Sequence, residues 1–306
     1  YEIEAVTGVQ TCALRSVHSI NGLSPKTAKQ SDPILSTFGE ERLTTARHLI
    51  DFDTKFSSMF SGQISEVEGP KEAGGLTHED FLKIFLDGSG FTSGCGIEYL
   101  ESRLVRSSCM TEAGKTLIAG TDFLGGTLKA GRRVNDSVLT RFADANSRHL
   151  QDGECKYINS IMSPFIATNE TLELSSIGRY RILVFTARDF ACTRGSSADC
   201  LVQLCDSTMP QYPAGVLELL ILYPPRENRF EWVDLPKCVK RDAEMRTFGA
   251  TEEVYNKYGV DTTRGAVVVV RPDGYVGTIC AIEDGEGLTS YLDDCLVRVE
   301  KTDASA

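Results

Sequence analysis

The segment Gly265–Gly277, with the sequence GAVVVVRPDGYVG, constrains the fold more than any other part of this chain. Its four consecutive valines favour a β-strand, because β-branched side chains pack well on a pleated sheet. The Arg-Pro-Asp-Gly that follows favours a tight turn. A strand that is apolar on both faces is typical of a sheet covered by helices on each side. We therefore predict a central strand with Val268 and Val269 buried on opposite faces, and a turn in which replacing Asp273 by Asn costs less than roughly 1 kcal/mol.

The length and charge of the chain exclude several classes of protein. Its 306 residues allow two domains, and 41% hydrophobic and 25% charged residues are ordinary for a globular protein. The net charge is −11, and lysine and arginine form no cluster of the kind that binds phosphate. No run approaches the roughly 20 apolar residues of a membrane helix. We predict a soluble cytoplasmic protein with no nucleic-acid or membrane partner.

The ten cysteines are scattered along the chain without a repeated spacing. In a chain of this size, that distribution favours free cytosolic thiols over a disulfide scaffold. Cys192, Cys200 and Cys205 lie closest together, but they form no C-x-x-C pair and no histidine lies at ligand spacing. The sequence therefore predicts no metal site.

The first 32 residues are left unassigned. The chain begins with Tyr1, and its first residues lack the charged-then-apolar order of a signal peptide, which suggests a fragment. Val9–Leu14, with the sequence VQTCAL, equals the translation of a common sequencing-library adapter. We therefore suspect that the first dozen or so residues are an artefact of sequence assembly.

Residues 33–127 are predicted to be largely helical. Apolar side chains recur at three- and four-residue intervals over Pro33–Phe60, which is typical of an amphipathic helix, with a break near Gly39 as an option. A second helix begins at Thr77, because Thr-His-Glu-Asp resembles a capping box. Residues 91–127 alternate short apolar and glycine-rich pieces, and we interpret them as loop with short strands.

Strands and helices alternate in residues 128–306, which predicts an α/β layered domain. Besides the valine strand, the predicted strands are Arg179–Phe185, Tyr275–Ile282 and Val216–Pro224, the last being a strand or a junction of helix and strand. A short helix is expected between Thr251 as its cap and Gly259 at its C-terminal end, and GLTSYLDDCLVRV is expected to form a closing helix.

Four pieces of the chain together resemble one enzyme family: EERLTTARHLIDFDTKFSSMFSG, AGRRVNDSVLTRFADANSRHLQ, IGRYRILVF and YNKYGVDTTRGAVVVVRPDGYVG. In order and spacing they are similar to the C-terminal part of phenol 2-monooxygenase and its FAD-dependent aromatic hydroxylase relatives, over residues 33–297. The resemblance implies that residues 33–127 are a helical remnant of the FAD-binding and substrate domains. It also implies that residues 128–306 form a thioredoxin-like domain, a mixed sheet flanked by helices, that makes a homodimer.

The resemblance implies FAD and NADPH as cofactors of the intact enzyme and an aromatic small molecule as its substrate. The family's G-x-G-x-x-G motif for the FAD pyrophosphate does not occur here, nor does its Gly-Asp motif at the flavin ribityl chain. Residues 14–31 do not resemble the family. We therefore expect a fragment that is inactive alone, with no catalytic, cofactor-binding or metal-binding residue.

A thioredoxin-like domain invites a redox interpretation, because such enzymes use a low-pKa cysteine in C-x-x-C at the start of a helix. Cys192 follows the Arg179–Phe185 strand, but no second cysteine lies at the required spacing. Gly265 and Ala266 stand where thioredoxins carry a cis-proline. We interpret Cys192 and Cys200 as incidental thiols.

The histidines give no sign of a nucleophilic site. His48 lies within the first helix, His78 at the start of the second and His149 in a polar loop. None has a serine or cysteine nearby in a recognisable nucleophile motif, so we interpret all three as structural.

Two further features remain open to more than one interpretation. Arg132 and Arg133 either pair with carboxylates at a domain boundary or are solvated. Ile97 and Tyr99, in the sequence GIEY, are expected to pack rather than to contact a substrate.

Two alternative functions are kept beside the hydroxylase. One is a stand-alone thioredoxin-like interaction module, which a genuine start near residue 30 would favour. The other is a peroxiredoxin-like thiol enzyme, which rapid reaction of a cysteine with peroxide would favour. An upstream dinucleotide-binding fingerprint would favour the hydroxylase.

Overall fold

The computed structural model describes residues 14–25, 32–60, 96–107, 116–135, 137–141, 155–157, 178–190, 195–225 and 232–299. Within these residues one seven-stranded mixed sheet carries helices on both faces. The strands are β1 (Val138–Arg141), β2 (Cys155–Tyr157), β3 (Tyr180–Phe185), β4 (Leu217–Tyr223), β5 (Thr247–Gly249), β6 (Ala266–Val270) and β7 (Val276–Cys280).

The helices account for most of the remaining described chain. They are α1 (residues 14–20), α2 (Pro33–Phe60), α3 (Ser196–Gln203), α4 (Lys237–Asp242), α5 (Glu252–Tyr258) and α6 (Gly285–Cys295). A π-helical turn (Leu204–Thr208) and a 3₁₀ turn (Met209–Gln211) continue α3, and two further 3₁₀ turns are Trp232–Asp234 and Glu244–Arg246.

The order of the strands across the sheet is β2-β1-β5-β4-β3-β6-β7. β3, β4 and β5 are parallel neighbours, whereas β6 is antiparallel to both β3 and β7. The unit β3-α3-β4 followed by the β6-β7 hairpin and α6 is the thioredoxin-like arrangement. The predicted mixed sheet flanked by helices is therefore confirmed.

The valine strand lies inside the sheet, between β3 and β7. Val268 pairs with Leu183 and Ile279, and Val269 pairs with Ile182 on β3. Val268 and Val269 are both fully buried, but they belong to separate apolar cores on opposite faces of the sheet. This confirms a central strand that is covered on both sides.

Each core is closed by different elements. On the face of Val269, the buried residues come from α3, α4 and α6 and include Leu201, Val239, Leu288 and Leu292. On the face of Val268, they come from α5 and the preceding segment 116–135 and include Val254, Tyr255, Leu117 and Leu128.

Most predicted elements occur where the sequence placed them. The residues of α2 form one continuous helix through Gly39, without a break. Val216–Pro224 contains strand β4, and α5 ends at Gly259, whose φ of 74° suits glycine. The predicted helix at Thr77 lies outside the described residues.

Segments on either side of the predicted domain boundary at residues 127 and 128 contact each other. Tyr99 N donates to Gly131 O at 2.9 Å, and Arg106 N donates to Gly277 O at 2.8 Å. Near the N-terminus, Leu23 O accepts a hydrogen bond of 2.9 Å from Val297 N. The domain limits themselves remain a prediction.

No helix in the described part of the chain combines the length and the apolar character needed to cross a membrane.

Candidate functional site

The position at which a thioredoxin would carry its reactive cysteine is the start of α3. Cys192 lies outside the described residues. Asp189 stands at this helix start, where its carboxylate accepts hydrogen bonds from Ser197 N at 3.3 Å and from Ser197 Oγ at 2.5 Å. Ser197 Oγ in turn accepts from Ala187 N at 2.9 Å. The Asp189 carboxylate therefore accepts from a backbone N–H of the first turn of α3, and the Ser197 hydroxyl joins this turn to the loop after β3.

The cysteines that the structure describes with their side chains are buried: Cys200, Cys205, Cys238, Cys280 and Cys295. Burial raises the pKa of the Cys200 and Cys295 thiols to about 12. It also raises the pKa of Cys205 and Cys238. Because the thiolate is the reactive form, these groups are poor nucleophiles. Among the described residues no group of three potential metal ligands occurs.

Gly265 occupies the position of the thioredoxin cis-proline. Its φ is 65°, and a Cβ there would lie 2.4 Å from Phe185 O and 2.3 Å from Ile282 Cδ1. The described residues contain no cis peptide bond. The backbone at this point is packed closely against β3, which leaves no room for a side chain.

The most elaborate polar site is a buried ionic cluster that we name the Arg271 cluster: Arg15, Glu41, Arg271 and Asp273. The Arg271 guanidinium donates to both Glu41 carboxylate oxygens, at 2.8 and 3.0 Å. It also donates to both oxygens of Asp273, at 3.1 and 2.6 Å. All of these side chains are at most 2% exposed.

Arg15 completes the cluster from α1. Its Nη2 lies 2.6 Å from Glu41 Oε2, and its Nε donates to Thr37 Oγ1 at 2.9 Å. Glu41 and Thr37 lie one turn apart on α2, so that both face α1. The cluster therefore joins α1, α2 and the turn after β6.

Two aromatic rings cover the Arg271 guanidinium. Its central carbon lies 5.4 Å from the ring centroid of Tyr99 and 5.8 Å from that of Tyr275. The two rings contact each other, with centroids 4.5 Å apart. This exclusion of water strengthens the ionic contacts within the cluster.

The cluster contains two basic and two acidic side chains, and the pairing of Arg271 with Asp273 favours the charged form of both. Burial acts to lower the pKa of Arg271, but Asp273 and Glu41 outweigh it and hold that pKa well above the ordinary value. Burial acts to raise the pKa of Asp273, but the charge and hydrogen bonds of Arg271 hold it below its usual value. Both groups therefore remain charged at neutral pH.

The expectation that Asp273 is a replaceable turn residue is wrong. The turn itself is present, since Gly274 has a φ of 85° and Gly274 N donates to Arg271 O at 2.9 Å. However, Asp273 is 2% exposed and forms two hydrogen bonds with Arg271. The sequence signal was a charged residue, Arg271, placed directly at the end of a wholly apolar strand.

The predicted packing of Ile97 and Tyr99 is confirmed. Both are buried, at 4% and 3% exposed, in a small cluster with Val105, Ala130 and Tyr275.

The adjacent arginines have defined partners. Arg132 Nε lies 2.7 Å from Glu98 Oε2, which supports the carboxylate-pairing interpretation. The Arg133 guanidinium stands 5.2 Å from the Tyr275 ring centroid, and its Nη2 donates to Asp273 O at 3.2 Å. Of the predicted histidines, His48 is exposed on α2, whereas His78 and His149 lie outside the described residues.

Sequence reasoning missed His18, which lies on α1 and is 1% exposed. Its ring centroid is 5.4 Å from that of Tyr180, and neither ring nitrogen has a hydrogen-bond partner among the described residues. Burial lowers the pKa of His18 to about 4, although Asp32 and Asp273 oppose the shift. A histidine in an unassigned segment gives no sequence signal of this kind.

The start of α2 does not fit the pyrophosphate of FAD. A flavin pyrophosphate would need free backbone N–H groups at a helix start beside a glycine-rich turn. At the start of α2, Asp32 Oδ1 already accepts from Ile34 N at 3.0 Å and from Leu35 N at 3.3 Å. A carboxylate at this position repels a phosphate.

The fold and site therefore define a thioredoxin-like α/β unit whose described thiols are buried. Residues 167–300 match the family described as "Phenol hydroxylase, C-terminal dimerisation domain". The resemblance to the C-terminal part of the FAD-dependent aromatic hydroxylases is thus confirmed.

Curated relatives extend the match over most of the chain. The flavin-dependent oxygenase ucdD of Aspergillus ustus is 26% identical over 92% of this chain and 38% of its own length. The 3-hydroxybenzoate 4-monooxygenase of Comamonas testosteroni is 28% identical over 87% of this chain and 40% of its own length. The phenol 2-monooxygenase fsqG of Aspergillus fumigatus is 25% identical over 87% of this chain and 40% of its own length. The chain thus spans less than half the length of these relatives.

A solved structure shows the same fold. The crystal structure of aklavinone-11 hydroxylase, a ternary complex with FAD and aklavinone, has a TM-score of 0.52 and 15% sequence identity. It covers 95% of this chain, which in turn covers 39% of that protein.

Proposed function

We propose that this chain is the C-terminal portion of a cytoplasmic, FAD-dependent and NADPH-using aromatic hydroxylase of the phenol 2-monooxygenase type. The observation that carries the proposal is the match of residues 167–300 to the phenol hydroxylase dimerisation domain, in a chain that spans 38–40% of its relatives. The flavin site and the aromatic pocket then belong to the part of the enzyme that this chain does not include. The chain itself supplies structure and dimerisation.

The surface of α2 supports this division. One side of the helix faces the sheet through the buried residues Ile34, Thr37 and Glu41. Apolar side chains elsewhere on the helix remain exposed, namely Leu35 at 42%, Phe38 at 38%, Leu43 at 54% and Ile50 at 64%. Such a row of exposed apolar residues marks a surface that packs against further protein. We infer that the upstream part of the same enzyme covers it.

The cofactor test compares two proteins. One is this chain alone, and the other is the product of the reading frame extended upstream until it includes a dinucleotide-binding fingerprint. After incubation with FAD and gel filtration, we expect this chain to be colourless and the extended protein to carry flavin absorbance and to oxidise NADPH with a phenolic substrate. A stoichiometric yellow complex of the short chain would overturn the division of roles.

The dimer test uses sedimentation of this chain. We expect a species of twice the 33.5 kDa chain mass at micromolar concentration. A monomer at every accessible concentration would contradict the proposed homodimer. The stand-alone interaction module would gain support if no coding sequence existed upstream and the chain still dimerised.

A further inference from the structure

A second buried ionic site, which we name the Glu218 cluster, consists of Glu218, Arg179, Arg181 and Arg246. Glu218 lies on β4 directly opposite Arg181 on the parallel strand β3. Arg179 immediately precedes β3, and Arg246 lies in the 3₁₀ turn before β5. Three guanidinium groups therefore meet at the N-terminal ends of three parallel strands, far from the cysteine position at the other end of β3.

The three arginines share one carboxylate. Arg181 Nε lies 3.0 Å from Glu218 Oε2, and both partners are 1% exposed. On the other oxygen, Arg246 Nε lies 2.9 Å from Glu218 Oε1, and Arg179 Nη1 lies 3.8 Å from it. Within the described residues these are the ion pairs of Arg179 and Arg246, so the cluster has a surplus of two positive charges.

The crowding of positive charge is visible on Arg181. Burial lowers the pKa of its guanidinium, Glu218 opposes this, and the charges of Arg179 and Arg246 lower it further. In a chain whose net charge is −11, this concentration of cations is unusual. A bound anion would relieve the mutual repulsion of the three guanidinium groups.

Two of the arginines have hydrogen-bond donors to spare, and both reach the surface. The side chains of Arg179 and Arg246 are 29% and 35% exposed. Arg179 Nε is buried and has no partner among the described residues, and Arg246 contacts Glu218 through Nε, which leaves its outer nitrogens available. A pair of guanidinium forks beside one point matches the planar or tetrahedral oxygens of a carboxylate or phosphate group.

We propose that Arg179 and Arg246, which both lie beside Glu218 Oε1, form a binding site for an oxyanion that carries a phosphate or carboxylate group. Both guanidinium groups approach the same oxygen, Glu218 Oε1, at 3.8 and 2.9 Å, and the single negative charge of Glu218 does not neutralise them. The site lies on the C-terminal unit and does not depend on the proposed hydroxylase function.

The test is calorimetric titration of the full chain with inorganic phosphate and, separately, with acetate, against sodium chloride at equal ionic strength. We expect saturable binding of at least one anion, and the stronger of the two identifies the oxyanion class. Arg179→Gln and Arg246→Gln should each weaken binding by about tenfold, because each removes a charge-assisted contact.

The matched control is Arg188→Gln, which removes an exposed arginine that pairs with Glu252 outside the cluster. It should change the affinity by less than about twofold. Glu218→Gln removes the competing carboxylate, so phosphate should raise the melting temperature of that variant more than that of the unmodified chain. The difference in melting temperature with and without phosphate can be measured even if Glu218→Gln is less stable than the unmodified chain.

Two results would overturn the proposal. One is the absence of saturable binding of either anion to the unmodified chain. The other is binding that Arg188→Gln weakens as much as Arg179→Gln does, because the anion would then respond to overall charge alone. If circular dichroism shows that Arg246→Gln does not fold, the result for Arg179→Gln decides the test. The contact of Arg179 with Glu218 is the longer of the two, at 3.8 Å, so its loss should disturb the fold less.

Discussion

The Arg271 cluster and the Glu218 cluster both bury arginine beside carboxylate, but they differ in charge balance and in what they connect. The Arg271 cluster has two cations and two anions, and it joins residues 230 positions apart in the sequence. The Glu218 cluster has three cations and one anion, and its pairs lie within and beside one sheet. The comparison shows that a buried network with equal numbers of cations and anions holds distant segments together. A network with an excess of cations has hydrogen-bond donors left over for an added anion.

The largest loss of stability is expected from a buried charge that has no partner of opposite sign. Val268→Asp and Val269→Asp each place a carboxylate in a separate apolar core without an arginine beside it. We expect each variant to unfold the C-terminal unit, because the cost exceeds much of a typical stability of about 5–15 kcal/mol. Circular dichroism melts of the full chain measure the effect. Tolerance of Asp at one position would mean that one face of β6 is open to water.

Removal of the shared carboxylate from the balanced cluster should have the next largest effect. Glu41→Gln removes the carboxylate that Arg15 and Arg271 share and leaves Asp273 as the remaining anion of the cluster, so we expect a loss of about 3–5 kcal/mol in the free energy of unfolding. Urea denaturation measures it. Glu40→Gln is the matched control, because Glu40 is the exposed neighbour on α2 and should cost less than about 0.5 kcal/mol. Equal losses of unfolding free energy in the two variants would show that the Arg271 cluster does not stabilise the packing of α1 and α2 against the turn after β6.

Asp273→Asn sharpens the comparison within the same cluster. Arg271 keeps its two hydrogen bonds to Glu41, and the amide still offers one acceptor, so we expect a smaller loss of about 1.5–3 kcal/mol. Urea denaturation beside Glu41→Gln tests the order of the two effects. A loss below about 0.5 kcal/mol would restore the view of Asp273 as an ordinary turn residue.

His18, which lies beside the Arg271 cluster, should make the free energy of unfolding depend on pH. Its pKa in the folded protein is about 4, below the ordinary 6.5, so the unfolded chain binds the proton first as the pH falls. The neutral histidine therefore contributes stability above pH 6.5 that is lost progressively between pH 6.5 and about 4.

The measurement is the free energy of unfolding at several pH values in that window. His18→Gln should flatten the decline, whereas His48→Gln, at an exposed position on α2, should leave it unchanged. An identical slope in the unmodified chain and in His18→Gln would show that other groups cause the decline.

The smallest expected effect concerns cysteine chemistry. Cys192 has no partner at C-x-x-C spacing. We expect insulin reduction and peroxide consumption at background for the unmodified chain and for Cys192→Ser alike. Activity that Cys192→Ser abolishes would favour the thiol enzyme.

The elements of the fold were predictable because their signals are local. The valines of β6 and the Thr251 and Gly259 ends of α5 each depend on neighbouring residues alone. The Arg271 cluster depends on a contact between Glu41 and Arg271, and no periodicity links positions so far apart. Glu41 reads as one more polar residue on a helix, and Asp273 reads as a turn former. His18 was missed for the same reason, since only the packing of α1 against Tyr180 buries it.

The separation between Glu41 and Arg271 also has a consequence for the order of folding. A contact across 230 residues closes a long loop, and the entropy of closure is recovered only when both ends meet a structured surface. Arg271 reaches its position only when β6 pairs with β3. In the sequence, α3, β4, α4, β5 and α5 lie between these two strands. We therefore expect the sheet to form first and α1 and α2 to dock late. During synthesis, α2 leaves the ribosome long before its partner does, and the side of the helix that carries Ile34, Thr37 and Glu41 stays uncovered until the turn after β6 has been made.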